Sequence, residues 1–248
     1  MLSFSFYSVI SLAATPSLLF ISKTNVIPPI VAFAQQSSNS SSSSSIINSQ
    51  NGSNHPNILL IMGDDLGFSD IGPFGGEIST PNLDVLAKNS KILTNYHTMP
   101  TCSPARVSLL TGVDNHIGGI GTMYENIAPN QVGKPGYETY INNRVVTVEE
   151  LLKGAGYHNL MTGKWHLSGA GNGKNGTTPY DRGFEHVFSL LSSGANHFNP
   201  DPYYAGGHPV FAGNGKIVPR PDNGTYSNDL YTNIMLDQIN HIGLPWRW

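Results

Sequence analysis

Cysteine is nearly absent from this sequence: among 248 residues only Cys102 carries a thiol, so no disulfide can close within the chain. Charge is scarce too. Asp, Glu, Lys and Arg make up 12% of the residues, with a formal net charge of -3, and no cluster of Lys and Arg marks a surface for nucleic acid or for anionic lipid. Neither is expected as a partner. Internal repeats are missing as well, which argues against solenoids and propellers. What is present is the composition of a globular protein, 39% hydrophobic, in a chain long enough to bury a sizeable core.

Residues 1–34 are apolar, rich in small side chains, and end in Ala32-Phe33-Ala34, the small-x-small form that signal peptidases read. They predict a signal peptide and an exported protein, whether secreted, periplasmic or at the cell surface. No Lys or Arg precedes the apolar stretch and Lys23 interrupts it, so an uncleaved membrane anchor is the alternative. Residues 35–54 include the serine tract Ser37 to Ser45 and read as a flexible linker that buries nothing. Glycosylation sequons begin at Asn39, Asn51, Asn175 and Asn223, in keeping with export. The folded part is expected over 55–248.

That part opens on the apolar run Ile58 to Met62, which suits a strand buried on both faces and stops at Gly63-Asp64-Asp65. Thr80 and Pro81 predict the N-cap and first turn of a helix with Leu83 and Leu86 on one face. Lys91 to Thr98 reads as a short strand. Thr147 with Glu150 forms a capping box, and Gly154 or Gly156 ends the helix that follows. Tyr157 to Leu167 reads as a strand whose end carries Lys164 and His166, residues that a period of two projects to one side. Residues 168–229 read as a loop at the rim of the site, and Asn228 to Gly243 as an amphipathic helix. Strands alternating with helices predict an α/β layered domain, with ligands gathered beyond the carboxyl ends of the strands.

Three groups converge on that end: Asp64 with Asp65, Cys102 with Arg106, and Lys164 with His166. A lone cysteine in an exported chain leaves an inert thiol, an intermolecular disulfide, a reactive thiol or a modified residue. Cys102 follows Thr101 in TCSPARVSLLTG, where Ser103 and Pro104 start a helix through Val107, Leu109 and Leu110. It therefore sits at a helix N-terminus, where free N–H groups favour anions. Arg106, four residues on, shares its face.

CSPAR followed by LLTG, together with NILLIMGDDLGFSD, TPNLDVLA, GKWHL and DRGFEHVFSLL, resembles the sulfatase family of the alkaline-phosphatase-like superfamily, and most of all its bacterial-type arylsulfatases. The resemblance runs from about Pro56 to the last helix. It implies a mixed, mostly parallel sheet flanked by helices, and hydrolysis of a sulfate monoester, carried by a small molecule or a glycan. It also implies that a formylglycine-generating maturation enzyme oxidises Cys102 to an aldehyde. The chemistry supports this on its own terms. A serine nucleophile would be left as a stable sulfate ester, whereas one hydroxyl of a hydrated aldehyde can take the sulfuryl group and the other can expel sulfate as the carbonyl reforms.

By the same resemblance Asp64, Asp65 and the oxidised residue 102 bind a divalent cation, calcium or alternatively magnesium, through oxygen. Arg106 holds the formylglycine, Lys164 binds the hydrate and a sulfate oxygen, and His166 takes a proton from the second hydroxyl. His116 and His197 are weaker candidates for the rim. Family members are commonly longer, and a second His, a Lys and an Asp-Asn pair farther along complete their site. Asp222-Asn223 resembles that pair but precedes the last helix and is left unassigned. The expectation is thus the N-terminal portion of a catalytic domain, truncated before its end. The other readings are a phosphodiesterase or phosphonate hydrolase of the same superfamily, and a non-catalytic remnant that binds metal or anions.

Overall fold

The computed structural model describes residues 56–170, 177–199, 201 and 209–242, with the backbone of 3–11 and 31–33. The serine tract, three of the four sequons and the rest of the segment read as an export signal lie outside the described residues. Asn223 falls in an exposed turn.

The strands are β1 (Ser3–Ser11), β2 (Val31–Phe33), β3 (Ile58–Asp64), β4 (Tyr157–Lys164), β5 (His186–Leu190), β6 (Phe211–Gly213) and β7 (Lys216–Val218). They form one mixed sheet in the order β2-β3-β1-β4-β5-β6-β7. Helices flank it, as expected: α1 (Pro81–Lys88), α2 (Cys102–Thr111), α3 (Val148–Gly154) and α4 (Ser227–Ile242). Parallel pairing is narrower than expected, because β4 with β5 is the parallel ladder and the other five are antiparallel. β3 and β4 both run against β1, so β3, β4 and β5 point the same way and bring their carboxyl ends together. β1 has the sequence SFSFYSVIS, whose alternation has the period of a strand. Two pieces of the apolar N-terminus therefore occupy strand positions.

β4 explains the layering. Its neighbours Leu160 and Met161 point to opposite faces, as successive strand residues must. Met161 packs in a cluster with Val107 and Leu110 of α2, and with Ile120, Ile141, Trp165, Phe184 and Leu191. Leu160 packs on the other face against Met235 and Ile239 of α4, and Thr162 donates to the carbonyl of Tyr231 at 3.0 Å. Trp165 is fully buried and its indole N–H donates to Thr177 O at 2.7 Å.

The capping box holds: Thr147 N donates to Glu150 Oε2 at 2.7 Å and Glu150 N to Thr147 Oγ1 at 3.2 Å. Gly156, at φ 89°, supplies the left-handed turn after α3, which glycine adopts without steric cost.

Four expectations need correction. Lys91 to Thr98 is not a strand; it has no ladder, its first five residues are exposed, and it turns at Thr94-Asn95. α1 forms where expected but has no buried residue, and Leu86 is exposed. Thr80 does not cap α1 through its side chain; its hydroxyl accepts from Gly72 N at 2.8 Å and donates to Asp84 at 3.3 Å. Finally, 168–229 is no simple loop, because it carries β5, β6 and β7.

Candidate active site

Each site residue owes its place to the end of an element. Asp64 is the last residue of β3 and Lys164 the last of β4. Cys102 is the first residue of α2, half-buried, and Arg106 stands one turn along, 1% exposed. α2 is fixed by Val107 and Leu110 in the core and stops at Gly112, where φ is 69°. Asp64, Cys102, Arg106 and Lys164 line one cavity of about 800 Å³, with Asp65, His166 and His197 also in its wall.

Asp64 organises the charges. Its Oδ1 accepts from Arg106 Nη2 at 3.1 Å and its Oδ2 from Lys164 Nζ at 2.8 Å. Arg106 also donates to the carbonyl of Lys164 at 2.6 Å, so one guanidinium ties the end of β3 to the end of β4. Burial alone would raise the pKa of Asp64, but the guanidinium and the ammonium beside it outweigh that and hold it far below the usual carboxylate range. A carboxylate between two cations in a half-buried cleft stays ionised through the whole working range of an enzyme.

His166 lies two residues beyond β4 and reaches the cavity through a left-handed backbone with φ of 59°, not through strand alternation. Asp65 also has a left-handed backbone, with φ of 55°. Such conformations gather at functional sites, where the surroundings enforce them. Burial pushes the pKa of His166 down; a hydrogen bond with Glu125 opposes this, and the charges of Lys164 and Arg106 reinforce it. The ring is therefore neutral near pH 7.

Glu125 is the site residue that sequence reasoning missed. It sits in the short turn Tyr124–Asn126 and places Oε2 3.4 Å from His166 Nε2. Burial would raise its pKa, yet the contact with His166 brings it down to about 2. Its one sequence signal is isolation, as the sole acid between Asp114 and Glu138. Of the weaker candidates, His197 lines the cavity and bonds Ser227 Oγ at 2.6 Å. His116 stands apart, exposed against Asp114 and Tyr137. Asp222 and Asn223 line a separate shallow depression.

Asp64, Asp65 and Cys102 each offer a donor atom, all within 4.8 Å of one another. Two hard carboxylates and a soft thiolate make a mismatched set, but an oxygen in place of sulfur at 102 turns it into the all-oxygen set that calcium or magnesium takes. The residues fit a hard divalent cation on that condition.

Two fixed cations on Asp64, at the carboxyl ends of strands and beside a helix N-terminus, are the setting in which an α/β fold gathers anionic ligands. The family model for sulfatases matches residues 56–243, and the chain belongs to the sulfatase family. It is 49% identical over 162 residues to an uncharacterised sulfatase of Schizosaccharomyces pombe, covering 62% of this chain and 28% of that one. It is 42% identical over 183 residues to an arylsulfatase of Klebsiella aerogenes, covering 73% and 38%. Over 137 residues it is 39% identical to an N-acetylgalactosamine-6-O-sulfatase of Bacteroides thetaiotaomicron, covering 54% and 24%. The chain thus spans well under half the length of the curated relatives it matches.

Proposed function

We propose that this chain carries the nucleophile-bearing part of a sulfuric ester hydrolase of arylsulfatase type, working through a formylglycine derived from Cys102. The supporting observation is the convergence of Asp64, Asp65 and Cys102 within 4.8 Å, with Arg106 and Lys164 both on Asp64. The substrate is a sulfate monoester of a small molecule or a glycan, in line with the names of the relatives.

Asp64, Asp65 and residue 102 would hold a calcium or magnesium ion. Such an ion supplies polarisation of a sulfate oxygen and acidifies a neighbouring hydroxyl. The chain's own residues do the rest. One hydroxyl of the hydrated aldehyde at 102 attacks sulfur and gives up its proton as the bond from sulfur to the ester oxygen breaks, and that oxygen takes up a proton and departs as an alcohol. Arg106 holds residue 102 in line, fixed by its bonds to Asp64 and the Lys164 carbonyl. The Lys164 ammonium faces the sulfate oxygens and stabilises charge as it shifts onto them. His166, neutral at working pH, then takes the proton of the second hydroxyl; the carbonyl reforms and sulfate leaves.

Export belongs to the same proposal and rests on the apolar N-terminus, the small-x-small site and the sequons. Among the described residues no helix is long and apolar enough to cross a membrane. Cleavage after Ala34 would withdraw β1 and β2, leaving both edges of β3 and one edge of β4 open.

The test is mass spectrometry of the peptide carrying residue 102, after coexpression with a formylglycine-generating enzyme. Conversion to an aldehyde is expected, and an intact thiol throughout would overturn the mechanism. Rates of the complete enzyme on aryl sulfate and aryl phosphodiester then separate sulfate from phosphate chemistry.

A further inference from the structure

His166 has one nitrogen engaged and one idle. Its Nε2 is 3.4 Å from Glu125 Oε2, while Nδ1 is buried with no hydrogen-bond partner among the described residues. A buried polar atom without a partner is rare and calls for an explanation. A carboxylate only accepts, so the Nε2 position facing it carries the proton, and a neutral ring then has a bare lone pair on Nδ1. Glu125 lies 41 residues from His166 in sequence, and its short turn lines the same cavity.

We propose that Glu125 is a positioning residue: it accepts the Nε2 proton of His166, fixes the tautomer with an unprotonated Nδ1, and so keeps that atom ready to receive a proton. The catalytic meaning of this role rests on the sulfatase reading, but the arrangement itself can be tested without turnover. The charged groups facing the ring are Glu125, Lys164 and Arg106. The two cations disfavour a doubly protonated imidazole, and the lone acid selects which single proton remains. Neutral histidine interconverts its tautomers freely in water; beside a fixed carboxylate one of them predominates.

The experiment uses the full chain with 15N-labelled imidazoles at about pH 7, reading which nitrogen of each ring holds the proton from long-range 1H–15N spectra. His166 is identified by the signals lost in His166→Gln, and far-UV circular dichroism reports whether each variant is folded. Wild type should show the proton on Nε2 and a bare Nδ1. Glu125→Gln keeps the size but removes the charge, and should shift the tautomer ratio toward Nδ1–H on the order of tenfold, the worth of a charge-assisted hydrogen bond. Glu125→Asp, shorter but charged, should recover most of the wild-type ratio. A packing role predicts the reverse, with Gln harmless and Asp the worse replacement. The proposal is overturned by a protonated Nδ1 in wild type, by a doubly protonated ring, or by a ratio that Glu125→Gln leaves unchanged. Because no substrate enters the assay, a failed sulfatase reading and a failed role for Glu125 give different results.

Discussion

Glu149 should make the fold lose stability as the medium turns alkaline. Its carboxyl belongs to the first turn of α3, is 1% exposed, and has an Oε2 without a hydrogen-bond partner among the described residues. Burial pushes its pKa from 4.5 up to about 8; hydrogen bonding and the charge of Arg182 oppose this, while Glu150 adds to it. The folded chain therefore holds this proton more tightly than the unfolded chain. The resulting stabilisation is complete below pH 4.5 and is lost as pH rises through the folded value near 8. At about 1.4 kcal/mol per unit, the interval sets a ceiling of about 5 kcal/mol. Relaxation and water entry reduce it, and we expect about 2–3 kcal/mol between pH 5 and pH 8.5. Glu149→Gln preserves the shape and cannot ionise. Urea unfolding of both chains at half-unit steps of pH should give a stability difference that grows in favour of the variant by that amount. A difference that stays flat to within about 0.5 kcal/mol across the range would refute the reasoning, because it would mean that Glu149 is solvated or already ionised.

Arg106→Met should cost about 2–3 kcal/mol in the same unfolding assay, since it removes one of the two cations on Asp64 and the donor to the Lys164 carbonyl; a loss below about 1 kcal/mol would count against the buried tie. In the complete, matured enzyme Lys164→Met should lower kcat about 10²- to 10³-fold, and unchanged turnover would remove Lys164 from the mechanism. Calcium should raise the Tm of the aldehyde-bearing chain in proportion to the logarithm of its concentration above Kd, and Asp65→Asn should suppress that rise. Thr147→Ala should cost about 1 kcal/mol through loss of the capping box of α3, as read by thermal unfolding.

The mixed, helix-flanked sheet was legible in the sequence, and so was the convergence of several side chains on one cavity. Asp64, Cys102, Arg106 and Lys164 could be read because each stands at a boundary with a local signature: an aliphatic run ending in acids, a Pro-Ala-Arg helix start, a strand ending in a cation. His166 lines the expected cavity by a different route, since its left-handed φ of 59° brings it there and strand periodicity does not. Glu125 was invisible, because its partner is 41 positions away and a lone acid in a loop has no period. The strands of 168–229 were hidden by their shortness, with β6 and β7 three residues each. α1 misled differently: its spacing announces an apolar face, but whether such a face is buried depends on what lies opposite, which local sequence does not record.

Asp65 and His166 share a left-handed backbone that a side chain resists and glycine does not. At exposed Asp65, replacement with glycine should relieve about 1 kcal/mol of local strain while deleting an acid of the cation cluster; at buried His166 the cavity left by the ring outweighs any such relief. Directed evolution that screens this chain for heat resistance alone would thus be drawn to a position where improvement and inactivation coincide. Any such campaign needs an activity screen in every round to keep the gain from being made at the expense of the cleft.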